Sequence, residues 1–181
     1  MRLESDDWVN LNNSLGYVPL AGTYFYSERE SGEEDNFFQL TIQHGTIPAN
    51  AEVGGQYAYA LLPDATAEET EEFSSQPSVE ILAMSETMHA VRDLETGTVG
   101  INAFAAGESL CGLTFLTPCS IIINGDEFFV TDPSQTQSSV TIKFDADITA
   151  SAEDGLLQEG NTVTIYMPIR GKSYSFTANG Y

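Results

Sequence analysis

Hydrophobic and polar residues alternate along most of the chain. Runs of period two cover Trp8–Leu11, Leu15–Val18, Thr23–Tyr26, Phe37–Gln43, Tyr57–Leu62, Val79–Met84, Met88–Asp93 and Thr98–Phe104. A second series follows at Gly112–Leu116, Ser120–Asn124, Glu127–Thr131, Val140–Phe144, Thr162–Met167 and Tyr174–Thr177. The alternation is clearest at Val140, Ile142 and Phe144, and again at Val163, Ile165 and Met167. Successive strand side chains point to opposite faces, so each run predicts a strand with one buried and one wet face.

The residues between the runs are turn formers. Asn12-Asn13-Ser14 joins the first two runs, and Asn124-Gly125 separates Ile121-Ile122-Ile123 from Phe128-Phe129-Val130. Asn-Gly supplies the positive φ angles of a tight hairpin at little cost. Asp132-Pro133-Ser134 closes a run, because proline cannot donate to a ladder. One helix interrupts the pattern. Thr66-Ala67-Glu68-Glu69 reads as a capping box, the acidic first turn suits the helix dipole, and Pro77 ends the segment. The expectation is an all-β protein with one short helix.

Composition narrows the function classes. The 181 residues hold 27 Asp+Glu against 6 Lys+Arg, a formal net charge of −21, yet 41% are hydrophobic and 10% aromatic. That apolar content excludes a disordered acidic tail. Six scattered cations cannot neutralise a phosphate track, so neither nucleic acid nor an anionic membrane surface is an expected partner. No run approaches the roughly 18 apolar residues of a membrane span. The acidity has two readings, a well-solvated self-repelling surface or adaptation to high salt. Met1–Asp7 lacks the apolar core of a signal peptide and leads at once into Trp8, so the chain reads as part of a longer polypeptide. A composition shift near Ala105–Leu110 suggests a boundary, with one domain over 1–108 and a small β-domain over 109–181.

The order of motifs carries a resemblance. Gln39-Leu40-Thr41-Ile42-Gln43-His44-Gly45-Thr46-Ile47-Pro48 leads to Tyr57-Ala58-Tyr59-Ala60-Leu61-Leu62-Pro63. After the helix come Val79-Glu80-Ile81-Leu82, Met88-His89-Ala90-Val91-Arg92, Gly100-Ile101-Asn102-Ala103-Phe104 and Phe129-Val130-Thr131-Asp132-Pro133-Ser134. With Trp8 and Gly16-Tyr17 before it, this series resembles the C-terminal β-portion of polysaccharide lyase family 8, the hyaluronate, chondroitin AC and xanthan lyases. His89 stands where that family has Gln, Asn102-Ala103-Phe104 where it has Asn-Phe-Trp, and Ser134 where it has Thr. Residues Arg29–Asn36 form a shorter stretch than usual, without a Trp-containing turn.

The resemblance implies a fold and a role. Residues 1–108 would be the last part of a large antiparallel, galactose-mutarotase-like supersandwich, and 109–181 a small C-terminal sandwich. Family members cleave uronic-acid polysaccharides by β-elimination, with the Asn, His, Tyr and Arg that do so in a preceding α/α-toroid. No catalytic residue is therefore carried over to this chain, and no cofactor or metal is expected. The implied partners are a uronic-acid polysaccharide or the toroid, and the implied location is extracellular or periplasmic. A partial sandwich leaves a strand edge to be paired, by missing polypeptide or by a second copy. A free-standing carbohydrate-binding or scaffolding protein, and an independent enzyme with a new site, are the alternatives.

The residues themselves offer modest candidates for carbohydrate or interdomain contact: His44, Tyr57, Tyr59, His89 and Arg92. β-Elimination needs a base and a group that neutralises the substrate carboxylate. His44 and His89 fit a structural role better than a general base, and Arg92 an ion pair better than a substrate clamp. Tyr57 and Tyr59 share a strand face and suit either a sugar platform or a packed interface. Glu33-Glu34-Asp35 is a carboxylate run, more consistent with a solvated loop than with the shaped cage of calcium. Cys111 and Cys119 leave two readings open, a disulfide or two buried thiols.

Overall fold

A computed structural model describes residues 8–21, 25–31, 36–42, 56–152 and 154–181. Its contacts divide the chain into two compact units, Met1–Pro77 and Ser78–Tyr181.

In the first unit, β1 (Val9–Leu11), β2 (Leu15–Ala21) and β5 (Ala58–Pro63) form an antiparallel sheet in the order β1-β2-β5. A separate hairpin pairs β3 (Phe25–Ser31) with β4 (Asn36–Ile42). The predicted run Thr23–Tyr26 is thus the start of a longer strand, and its first two residues lie outside the described ones. β2 continues past Val18 because a register shift at Pro19 to Ala21 lets the proline sit where no ladder donor is needed. Asn12 and Asn13 take φ of 53° and 54° in the β1–β2 turn, a conformation asparagine tolerates better than most residues.

Helix α1 (Ala67–Ser75) follows β5 and starts on the predicted capping box. The Glu69 amide donates to Thr66 Oγ1 at 3.2 Å, and the Thr66 amide donates to Glu69 Oε2 at 2.8 Å. Tertiary bonds then fix the helix to the first hairpin. Asn13 Oδ1 accepts from the Ala67 amide at 2.9 Å, and Asn10 Nδ2 donates to Thr70 Oγ1 and to the Ala65 carbonyl, both at 2.8 Å.

The second unit is a sandwich of two antiparallel sheets. One runs β15-β16-β13-β10-β9 and holds β9 (Ser109–Leu110), β10 (Leu113–Phe115), β13 (Ser139–Phe144), β15 (Leu156–Glu159) and β16 (Thr162–Tyr166). The other runs β14-β17-β12-β11-β8-β7-β6. It holds β6 (Val79–Met84), β7 (Met88–Asp93), β8 (Val99–Ala103), β11 (Cys119–Asn124), β12 (Glu127–Thr131), β14 (Thr149–Ser151) and β17 (Tyr174–Asn179). The alternating residues of both sheets meet in one core. Leu113, Phe115, Val140, Ile142 and Val163 face Ile121, Phe128, Val130 and Ala178, all buried. Phe128 stacks on Phe176 at 4.9 Å and meets Phe144 edge-on at 5.5 Å.

The boundary expected at 108/109 is displaced. β8 pairs with β11 from Val99↔Ile123 to Ala103↔Cys119, so a cut at 108 would run through a continuous ladder. Side-chain chemistry changes near Ala105–Leu110 because the chain crosses between sheets there, with the boundary between units some thirty residues earlier, after Pro77.

Candidate functional site

The described sequence candidates fall in both compact units. His44 and Glu33-Glu34-Asp35 lie outside the described residues. Tyr57 and Tyr59 belong to the first unit, at the start of β5, where they are 48% and 41% exposed. Strand alternation puts both rings on one face, 6.3 Å apart and 14° from parallel. His89 and Arg92 sit on β7 in the second unit but point to opposite faces. Arg92 lies opposite Val99, on the core side, and its Nη1 donates to Glu80 Oε2 at 3.1 Å. His89 lies opposite Asn102 on the outer side and meets the Phe104 ring edge-on at 5.0 Å and 89°. Among the described residues, no group of three or more His, Cys, Asp or Glu side chains could hold a metal ion.

Cys111 and Cys119 are both free thiols in the structure. Cys119 faces the core from the first position of β11, 1% exposed, whereas Cys111 sits in the β9–β10 turn at φ 49°. Burial, with the nearby Asp132 charge adding to it, pushes the Cys119 thiol up to about 12.

A side-chain assembly that sequence reasoning passed over lies on the outer face of the seven-stranded sheet. Cross-strand register aligns residues there in two rows. One runs Ser175, Phe129, Ile122, Gly100, Val91 and Ile81 across β17, β12, β11, β8, β7 and β6. The other runs Thr131, Ser120, Asn102, His89 and Met84. The first is apolar and open to solvent: Ile122 is 51% exposed, Val91 42% and Phe129 40%. The second is polar, and Ser120 Oγ donates to Asn102 Oδ1 at 2.5 Å. Phe104, 50% exposed, closes the polar row beside His89. The sequence does contain a signal for this face. Ile121-Ile122-Ile123 and Phe128-Phe129-Val130 are apolar without alternation, so both faces of β11 and β12 must carry apolar groups.

One buried carboxylate organises the loop beside this sheet. Asp132, 4% exposed, accepts from the Ser134 amide at 2.9 Å and the Ser134 hydroxyl at 2.6 Å through Oδ1. Its Oδ2 accepts from the amides of Thr136 and Gln137, both at 2.8 Å. Burial opposes its ionisation, but hydrogen bonds from Ser134 and Gln137 outweigh burial and hold the carboxyl far below the usual range. All of Asp132's acceptor capacity goes to its own loop, which makes it a structural acid.

Comparison with known proteins agrees with the architecture. Residues 80–141 match the model of the polysaccharide lyase family 8 C-terminal beta-sandwich domain. Over 132 residues the chain is 29% identical to a hyaluronate lyase of Enterococcus faecalis, covering 69% of this chain and 13% of that protein. Over 150 residues it is 27% identical to a xanthan lyase of Bacillus sp. (strain GL1), covering 80% of this chain and 15% of that one. In fold it is similar to the chondroitin AC lyase of Streptomyces coelicolor, solved in complex with chondroitin sulphate. The TM-score is 0.73 at 17% identity, over 100% of this chain and 27% of the solved one. The chain thus spans less than a third of the length of each of these proteins. By the ordered motifs, the sandwich architecture and these matches, the chain resembles the C-terminal β-sandwich portion of polysaccharide lyase family 8.

Proposed function

We propose that the chain is a non-catalytic β-module of a protein that cleaves uronic-acid polysaccharides by β-elimination. It supports the bond-breaking portion and contributes carbohydrate contact. The observation that carries this reading is the extent of the match: a small fraction of each relative's length, with residues 80–141 falling on the C-terminal sandwich. The side chains support it. Arg92 is engaged by Glu80 and His89 by Phe104, on opposite faces of one sheet, so they do not form a base and a carboxylate clamp around one substrate. Polysaccharide substrates are too large to cross a cell membrane, which favours an extracellular or periplasmic location. Edge strands favour pairing with further polypeptide or a second copy.

A second reading is a free-standing carbohydrate-binding or scaffolding protein. The exposed Tyr57–Tyr59 stack favours it, because parallel rings on one strand face suit the apolar face of a sugar. A native gel with embedded hyaluronan, chondroitin sulfate or xanthan tests both readings. A charge of −21 repels a polyanion at low salt, so contact should appear as retardation at high ionic strength and weaken in Tyr57→Ala and Tyr59→Ala. A cleared zone of depolymerised polymer around the band would contradict both.

A further inference from the structure

We propose that the outer face of the seven-stranded sheet binds a neutral oligosaccharide, with Phe104 and Phe129 as stacking rings and Ser120, Asn102 and His89 as hydrogen-bonding partners. This deepens the carbohydrate-contact reading and places a contact in the other compact unit from Tyr57 and Tyr59.

Charge selects the ligand. The chain holds 27 acidic and 6 basic side chains, and neither of these two rows contains an Asp, Glu, Lys or Arg, while the next row on the same face, Asn124, Glu127 and Thr177, adds an acid and no cation. A polyanion would need fixed cations to offset its charge, and this face supplies none. A second copy of the chain carries a net charge of −21 as well, so the two copies repel each other at low salt. An uncharged polyhydroxy chain meets neither obstacle.

The side-chain chemistry also fits a sugar. Thr131, Ser120 and Asn102 each offer both a donor and an acceptor, as every sugar hydroxyl does, and the His89 ring nitrogens add to the polar row. Asn102 has its carbonyl oxygen engaged by Ser120, which leaves the amide hydrogens for a ligand. Beside this polar row stand Phe104, held by the edge-on His89 ring, and across it Phe129 and Ile122, all at least 40% exposed. Pyranose rings present C–H faces to aromatics and hydroxyls at their rim, so a sugar chain can lie on the rings and bond the polar row together. Adjacent strands are about 4.8 Å apart, close to one pyranose residue along a glycan, so the rows step in register with such a chain.

The test is affinity electrophoresis of the whole chain at low salt in gels containing a soluble mixed-linkage β-glucan, a galactomannan or hyaluronan. The expected result is retardation by at least one neutral glycan. The dissociation constant should rise about tenfold in Phe104→Ala and in Asn102→Ala and stay unchanged in Leu157→Ala, an exposed position on the other sheet. Both substitutions are at exposed positions, and unchanged melting curves confirm an intact fold. The proposal is overturned by no retardation in either neutral gel, by retardation that both face variants retain, or by retardation in hyaluronan alone. It is also overturned if Phe104→Ala only abolishes self-association in sedimentation. Failure here together with Tyr57-dependent retardation by uronic polymers would sink the face and leave the module reading standing.

Discussion

Thr70 stands so close over Gly16 that a β-carbon there would lie 2.5 Å from its hydroxyl and 2.8 Å from its methyl. Glycine at this β2 position is what lets α1 press onto the hairpin. Thr70 is fully buried and cannot swing away, since its hydroxyl donates to the Thr66 carbonyl at 2.7 Å and accepts from Asn10. Gly16→Ala should therefore destabilise the first unit by about 1–3 kcal/mol through overpacking. Combining it with Thr70→Ala should cost less than the sum of the two single changes, because the truncated side chain makes room. Denaturant melts of the four proteins measure the coupling. Strict additivity would show that α1 does not rest on Gly16.

Asp132 should dominate acid sensitivity in the second unit. Its pKa is lowered on folding, so its contribution is fully present above the unfolded value of about 3.9 and is lost as pH falls below it. Asp132→Ala should cost about 2–3 kcal/mol at pH 7 by orphaning the amides of Ser134, Thr136 and Gln137. The gap from wild type should narrow between about pH 4 and pH 2, which thermal melts across that range report. A gap independent of pH would mean that packing, rather than the carboxylate, holds the loop.

The two cysteines should behave differently. With Cys119 buried and its thiol pushed up to about 12, a maleimide at pH 8 should label Cys111 alone in the folded chain and both residues in denaturant. Intact mass should be the same with and without reductant. A two-dalton rise on reduction, roughly the mass of two hydrogens, would show that the sulfurs pair after all.

Salt should stabilise the chain. With −21 charges, self-repulsion falls as the screening length drops from about 10 Å at 0.1 M to about 3 Å at 1 M salt. The melting temperature should climb with sodium chloride, by about 2–4 °C for each kcal/mol recovered. A flat or falling curve would mean that the acidic groups are already spaced widely enough not to repel.

Much of this fold is legible in the sequence, for identifiable reasons. Strands with one buried face, such as β13 and β16, alternate strictly and are found at once. The capping box locates α1 because its two reciprocal bonds need specific side chains. What escapes lies at the sheet edges. β9 has two residues, β14 reads Thr-Ala-Ser, and β15 puts a 43% exposed Leu157 beside Leu156, so none shows a clean period. Their support is tertiary: Gln158 of β15 accepts from the Ala150 amide of β14 and donates to the Ile148 carbonyl, both at 2.8 Å.

The tight β11–β12 hairpin is foreseen one residue early. Asn124 closes the ladder opposite Glu127, and Gly125 takes the first central position at φ 61°, as a type II′ turn requires. The candidate site was less legible because it depends on register. Nothing local to Asn102 announces that Ser120 on one neighbour and His89 on the other will align with it. The composition shift near Ala105–Leu110 marks the crossing from one sheet to the other, which local chemistry alone does not distinguish from a boundary between compact units.

The central claim is that this β-module does not itself break the polymer. The direct measurement follows the near-ultraviolet absorbance of the unsaturated uronate product when the purified chain is incubated with hyaluronan, chondroitin sulfate and xanthan at low and high salt. The account predicts a flat trace in every case. A steady rise that scales with the amount of chain, and survives further purification, would contradict it.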